Sequence, residues 1–198
     1  MAAQSNEATL QVPADLQAIL NDLASTETEA RKLVDGLDDT QINWQPSGTA
    51  WSIAQCLDHL SRMNTIYTAA LRSAVLDAKP GSVSRRGPIR PGWFERYFIQ
   101  SMDAPPGRKF RAPKKAVPTS HKNREEALAG FLSSHEEIRS LIRECNEIDL
   151  NRIRFKNPFV GILRFTVGTG LLVMAAHDRR HLWQAREVRS SIDSQHRL

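Results

Sequence analysis

The sequence predicts an all-α protein: a four-helix bundle in up-down-down-up order, with a long basic, proline-rich crossover between its second and third helices. Three observations carry this. Apolar residues recur at helical spacing in four stretches, about residues 14–37, 52–78, 123–148 and 162–190. No stretch keeps the two-residue alternation of a half-buried strand. The joints between the first and second and between the third and fourth stretches are short, whereas residues 79–122 can cross the whole bundle and leave helices two and three parallel. At 198 residues the chain suits a single domain over 1–198, with a core large enough to need no cross-links.

Helix one opens after Pro13, where a first-turn proline is tolerated, and Leu16, Ile19, Leu20, Leu23, Ala30, Leu33, Val34 and Leu37 give it one apolar face ending near Gly36. A loop over 38–51 follows, in which Trp44 and Trp51 flank Pro46 and Gly48. Ser52 then offers an N-cap, and Gln55 three residues on completes a capping box that starts helix two. The apolar stripe of that helix runs from Ile53 and Cys56 through Met63 to Tyr67 and Leu71, with His59 at its margin. Lys79-Pro80-Gly81 ends it. Within the crossover, residues 93–99 read as a short helix and 105–118 as extended loop, and no sheet is assigned. Helix three turns Leu128, Phe131, Ile138, Leu141, Ile142 and Cys145 inward, and His135 falls on the same stripe. Residues 157–161 link it to helix four, where Gly168 and Gly170 lower helix propensity but permit close packing against a neighbour.

The net charge of +5 is unevenly distributed. Residues 79–124 hold twelve Lys and Arg against two acids, and seven of the ten prolines, so they cannot form one long helix. The rest of the chain carries fifteen basic against twenty acidic residues. Cys56 and Cys145 sit within helical patterns rather than in a spaced framework, which points to a reduced, cytoplasmic protein. The N-terminus lacks a basic region followed by an apolar run, and the apolar run 165–176 is too short to span a bilayer, so neither secretion nor membrane insertion is expected.

The chemistry gathers in helix four. His177 and His181 stand four residues apart, so both imidazoles project from one face and can close on a single metal ion. Two ligands rarely hold a transition metal, and the best third is His59 on helix two. It lies seven residues, roughly 10 Å, after the start of its helix, and His181 lies nine residues, roughly 13 Å, before the end of helix four. In antiparallel neighbours the two rings are level.

Trp44-x-Pro46, Trp51-Ser52-Ile53, Leu57-x-His59-Leu60 and His177-Asp178-x-x-His181-Leu182 together resemble the DinB/YfiT-like superfamily of four-helix-bundle metalloproteins. The resemblance covers helices two and four; the basic crossover, including Arg111-Ala112-Pro113, is also in keeping. It implies the up-down-down-up bundle, a homodimer, and a divalent metal such as nickel or zinc on His59, His177 and His181. It also implies kinship with thiol-dependent transferases and isomerases that use a low-molecular-weight thiol.

Three neutral imidazoles leave a divalent ion an open position, as in catalytic rather than structural sites. A site of that kind can activate water or a thiol toward a small electrophilic or anionic substrate, which makes a thiol-dependent S-transferase or hydrolase the leading reading. Nitrogen ligation does not itself choose among zinc, nickel, iron and copper. Ligand histidines donate their second N–H to an outer acceptor. Asp58 and Asp178 point about a hundred degrees from their neighbouring ligands, which leaves Glu27, Glu136 and Glu137 for that role. Cys56 is either an extra soft ligand or a small buried apolar group, His135 either lines the pocket or is a hydrogen-bonded core residue, and Trp51, Trp93 and Trp183 either wall the pocket or pack. His121 and His196 are expected in solvent. Two other functions compete: a non-catalytic metal-binding or stress-response protein, and a polyanion or nucleic-acid binder using the basic crossover and its aromatics. Against the second stand the lack of a nucleic-acid motif and of a periodic basic array on one helix. The same crossover also reads simply as a solvated cover that helps a dimer form.

Overall fold

A computed structural model describes residues 12–78, 84–105, 107, 112–118 and 121–195. They are mostly helical, with a small two-stranded sheet. The elements in order are α1 (Ala14–Val34), α2 (Asp39–Ile42), α3 (Ile53–Leu76), α4 (Trp93–Ser101), a 3-10 turn (Lys114–Ala116), α5 (Arg124–Glu144), β1 (Arg154–Lys156), β2 (Arg164–Thr166) and α6 (Val167–Gln195). The four long helices occupy the four expected stretches. Ser52 and Gln55 form the capping box that opens α3, with Gln55 N–H donating to Ser52 Oγ at 3.1 Å. Asp38 and Gln41 build a second box in the 38–51 loop, which nucleates the single turn of α2.

Two expectations need correction. Residues 162–166 are not helical: Arg164–Thr166 pairs antiparallel with Arg154–Lys156, with Phe155 opposite Phe165. Helix α6 begins only at Val167, because the Thr166 hydroxyl accepts the Thr169 N–H at 3.2 Å and so serves as its N-terminal cap. Residues 114–116, read as extended loop, form a 3-10 turn with Ala116 fully buried. The short helix expected at 93–99 is present as α4.

Helix α3 packs most extensively against α5 and α6, while α1 rests on α6 and α5 and barely touches α3. The close approach at the head of α6 depends on glycine: a Cβ on Gly170 would stand 2.6 Å from Leu71 Cδ2 and 2.9 Å from the Phe155 ring. The buried apolar residues divide into two clusters. One joins Leu16, Leu23, Leu71, Ile138 and Leu141 to the hairpin's Phe155 and Phe165. The other joins Leu33, Ile42, Ile53, Leu57 and Phe131 to Leu182 and Val188. Polar side chains of Thr26, Asn64, Ser134, His135 and Asp178 are buried as well, Asp178 being next in sequence to His177 on α6. Among the described residues no helix is long and apolar enough to cross a membrane.

Candidate metal centre

Helix α3 presents His59 and helix α6 presents His177 and His181 to a common point. The ring centroids lie 5.2 Å apart for His59 and His177, 4.6 Å for His59 and His181, and 4.5 Å for His177 and His181. One nitrogen from each ring lies within 4.8 Å of the other two, so the group could hold a metal ion. No carboxylate enters this set. His59 is 1 % exposed, whereas His177 and His181 keep 8 % and 9 %. Among the described residues, the slight exposure of the cluster is on its two α6 members.

The protonation chemistry suits cation binding. Burial pushes the His59 imidazolium below the ordinary histidine range, against a backbone hydrogen bond and nearby carboxylates that favour charge. His177 is driven well below that range by burial, then by His181, His59 and Arg180. His181 falls to about 3, again through burial first and then His59 and Arg180. All three rings are neutral at pH 7. His59 Nδ1 donates to the Ala116 carbonyl at 2.6 Å, and His181 Nδ1 donates to Gln184 Oε1 at 3.0 Å. Those two rings consequently carry their lone pairs on Nε2. A donor set of neutral, oriented imidazoles without a thiolate or carboxylate fits a borderline divalent ion.

The outer acceptors are thus a backbone carbonyl and an amide, and not the carboxylates expected from sequence. Glu27 receives His135 Nδ1 at 3.1 Å and Arg139 at 2.6 Å, Glu136 pairs with Arg143, and the Glu137 carbonyl takes Arg72. Only proximity in space reveals Ala116, which lies fifty-seven positions from His59. The spacing of Gln184, three residues after His181 on one helix face, was the readable signal. Asp58 pairs with Arg62 at 2.9 Å and Lys122 at 2.8 Å.

Residues 22–185 match the family model of the DinB superfamily. The chain belongs to this family. It is also similar to the uncharacterized protein YuaE of Bacillus subtilis (strain 168), with 25 % identity over 164 residues that cover 80 % of this chain and 89 % of that protein. Like the histidines, Trp51 of this DinB-superfamily chain lies at the centre: its ring is 4.7 Å from His59 and stacks on His181 at 5.5 Å. Trp93, by contrast, is 78 % exposed and meets Phe94. Cys56 is wholly buried in the second apolar cluster, and burial raises its thiol to about 12, so it behaves as a small core residue.

His135 is likewise a core residue. Its Nε2 meets Asp178 Oδ2 at 3.0 Å and its Nδ1 meets Glu27, while Asn64 Nδ2 donates to Asp178 Oδ1 at 3.0 Å. One buried carboxylate on α6 thereby links α3 and α5, and His135 carries the link on to α1. His121 is exposed, as expected, and His196 lies outside the described residues.

Proposed function

We propose that this DinB-superfamily chain is a divalent-metal-dependent enzyme, with nickel or zinc held by His59, His177 and His181. The observation that carries the reading is the convergence of three neutral ring nitrogens, none further than 4.8 Å from another, with no carboxylate among them. A divalent ion at this point would supply Lewis acidity and lower the pKa of a water or a low-molecular-weight thiol. The chain's own residues do the rest. Ala116 and Gln184 fix two imidazoles with Nε2 turned inward, and Trp51 covers His59 and His181 on one side. The slight exposure of His177 and His181 suits a small electrophilic or anionic molecule, in keeping with thiol-dependent S-transfer or hydrolysis.

The same reading takes the chain as one cytoplasmic domain that forms a homodimer, with its long helices in up-down-down-up order. The scant contact of α1 with α3 supports placing them diagonally, and the approach of His59, near the start of α3, to His181, and of Leu71, farther along α3, to Gly170, near the start of α6, supports running those two helices antiparallel. Elemental analysis of the purified protein beside His59→Ala and His181→Ala tests the centre. Near-stoichiometric nickel or zinc that vanishes in both variants is expected. A His59→Ala protein that keeps its full metal content would refute the shared site, and a metal-loaded protein inert toward every thiol and electrophile offered would refute the enzymatic part.

A further inference from the structure

The turn joining β1 to β2 is an exposed aliphatic point in a cationic setting. Ile162 is 90 % exposed and Val160 42 %, on either side of Gly161. In the ladder behind them Lys156 stands directly opposite Arg164, and both are exposed, as is Arg154 on the same face of β1. Like charges directly opposite across an antiparallel pair destabilise it. The Lys156 side chain runs out along the turn: a Cβ on Gly161 would meet its Cε at 3.3 Å and its Nζ at 3.8 Å. Among the described residues no carboxylate forms an ion pair with Arg154, Lys156 or Arg164, although most arginines of the long helices have one. Helix α4 packs beside β2, Phe94 and Phe98 meeting Phe165, and adds the exposed rings of Trp93 and Tyr97 to the neighbouring surface.

We infer that this hairpin turn docks on an anionic lipid bilayer, Ile162 and Val160 entering the headgroup boundary while Lys156, Arg164 and Arg154 meet acidic headgroups. Each half of the feature selects this occupant. Exposed cations held together against their own repulsion ask for a surface rich in negative charge, and an anionic leaflet attracts such groups additively. The tip residues Ile162 and Val160 are aliphatic and give a nucleic-acid base nothing to stack on, while the exposed rings of Trp93 and Tyr97 on α4 suit the headgroup boundary as well as a base, so the oligonucleotide arm of the test separates the two. A second copy set turn to turn by a two-fold axis would bring two cationic ladders together, which disfavours self-association through this point. With no helix able to cross a membrane among the described residues, the attachment is peripheral and reversible.

The test is co-sedimentation of the full chain, at low ionic strength, with vesicles of phosphatidylcholine alone and of phosphatidylcholine mixed with phosphatidylserine. Binding to the mixed vesicles only, falling with added salt, is expected. Ile162→Ser should weaken partitioning about tenfold, and Lys156→Gln and Arg164→Gln about fivefold each. All three positions are exposed, so far-UV circular dichroism should match the parent protein and the melting temperature should not fall, rising slightly in Lys156→Gln and Arg164→Gln as the cross-strand repulsion is relieved, which excludes misfolding. Equal binding to both vesicle types, or unchanged partitioning of the three variants, overturns the inference. So does tighter retention of a single-stranded oligonucleotide than of the acidic vesicles. A solution dimer that dissociates on Ile162→Ser would give the turn to a second copy instead.

Discussion

Replacing Asp178 by alanine should cost this protein about 3–5 kcal/mol of stability while leaving the three-histidine cluster assembled. Asp178 and His135 are wholly buried and Asn64 is 1 % exposed, so nothing from solvent can replace the lost carboxylate. Two buried groups, Asn64 Nδ2 and the His135 ring at Nε2, lose their partner together. Each such loss costs about 1–3 kcal/mol, and the vacated volume adds a smaller amount. At about 2–4 °C per kcal/mol for a chain of this size, the melting temperature should fall by about 10 °C. Urea unfolding in the presence of a chelator is the proper assay, because bound metal would stabilise both proteins by mass action. Asp178→Asn keeps one acceptor for Asn64 but turns an amide toward His135, and should lose about half as much. A double-mutant cycle with Asn64→Ala should return a coupling of about 1–2 kcal/mol. A loss below about 1 kcal/mol for Asp178→Ala would refute the claim that this carboxylate ties three helices together.

Acid should act on the histidines. The His59, His177 and His181 imidazoles are all held below the ordinary range, His181 at about 3, so between their unfolded and folded values the unfolded chain binds more protons. Stability is full above about pH 6.5 and declines as the pH falls from there toward 3, by roughly 4 kcal/mol for His181 alone; urea midpoints of metal-free protein at several pH values check this, and His181→Ala should flatten the slope. Gly170→Ala should destabilise by about 1–3 kcal/mol, because its methyl would meet Leu71 and Phe155, whereas Gly48→Ala, with nothing within 4 Å, should be neutral in the same thermal melts. Cys56 and Cys145 are buried with thiols raised to about 12, so neither should react with an aromatic disulfide reagent until denaturant is added.

The long helices were legible because their signals are local. A 3.6-residue apolar period and the Ser52–Gln55 box need only a few neighbouring residues to operate, and both appear where the sequence places them. The convergence of the three histidines was legible for a related reason: His177 and His181 follow from helix geometry, and His59 from counting residues along two helices. The hairpin was not, because strands of three residues are too short to show alternation, and Phe165 and Val167 continue the apolar run of α6 without a break. The role of His135 was open between pocket and core because both place a histidine on an apolar stripe. Glu27 and Asp178, distant in sequence and near in space, decide it.

The outer acceptors show how the connection between α3 and α5 takes part in the centre. Helices α3 and α6 set where the three rings stand, but a ring free to turn about its own bond would present either nitrogen. The Ala116 carbonyl removes that freedom for His59, and Ala116 can do so because the 3-10 turn at Lys114–Ala116 packs it, fully buried, against α3. The Lys122 ion pair to Asp58 fastens the far end of the same segment beside His59, and Asn43 exchanges hydrogen bonds with the Lys122 backbone to hold it against α2. A proline-rich, basic segment that reads from sequence as a cover over the helices is therefore part of what orients the His59 ring. Its prolines serve that end, since a chain stiffened at Pro113 and Pro118 loses less entropy when the turn between them docks.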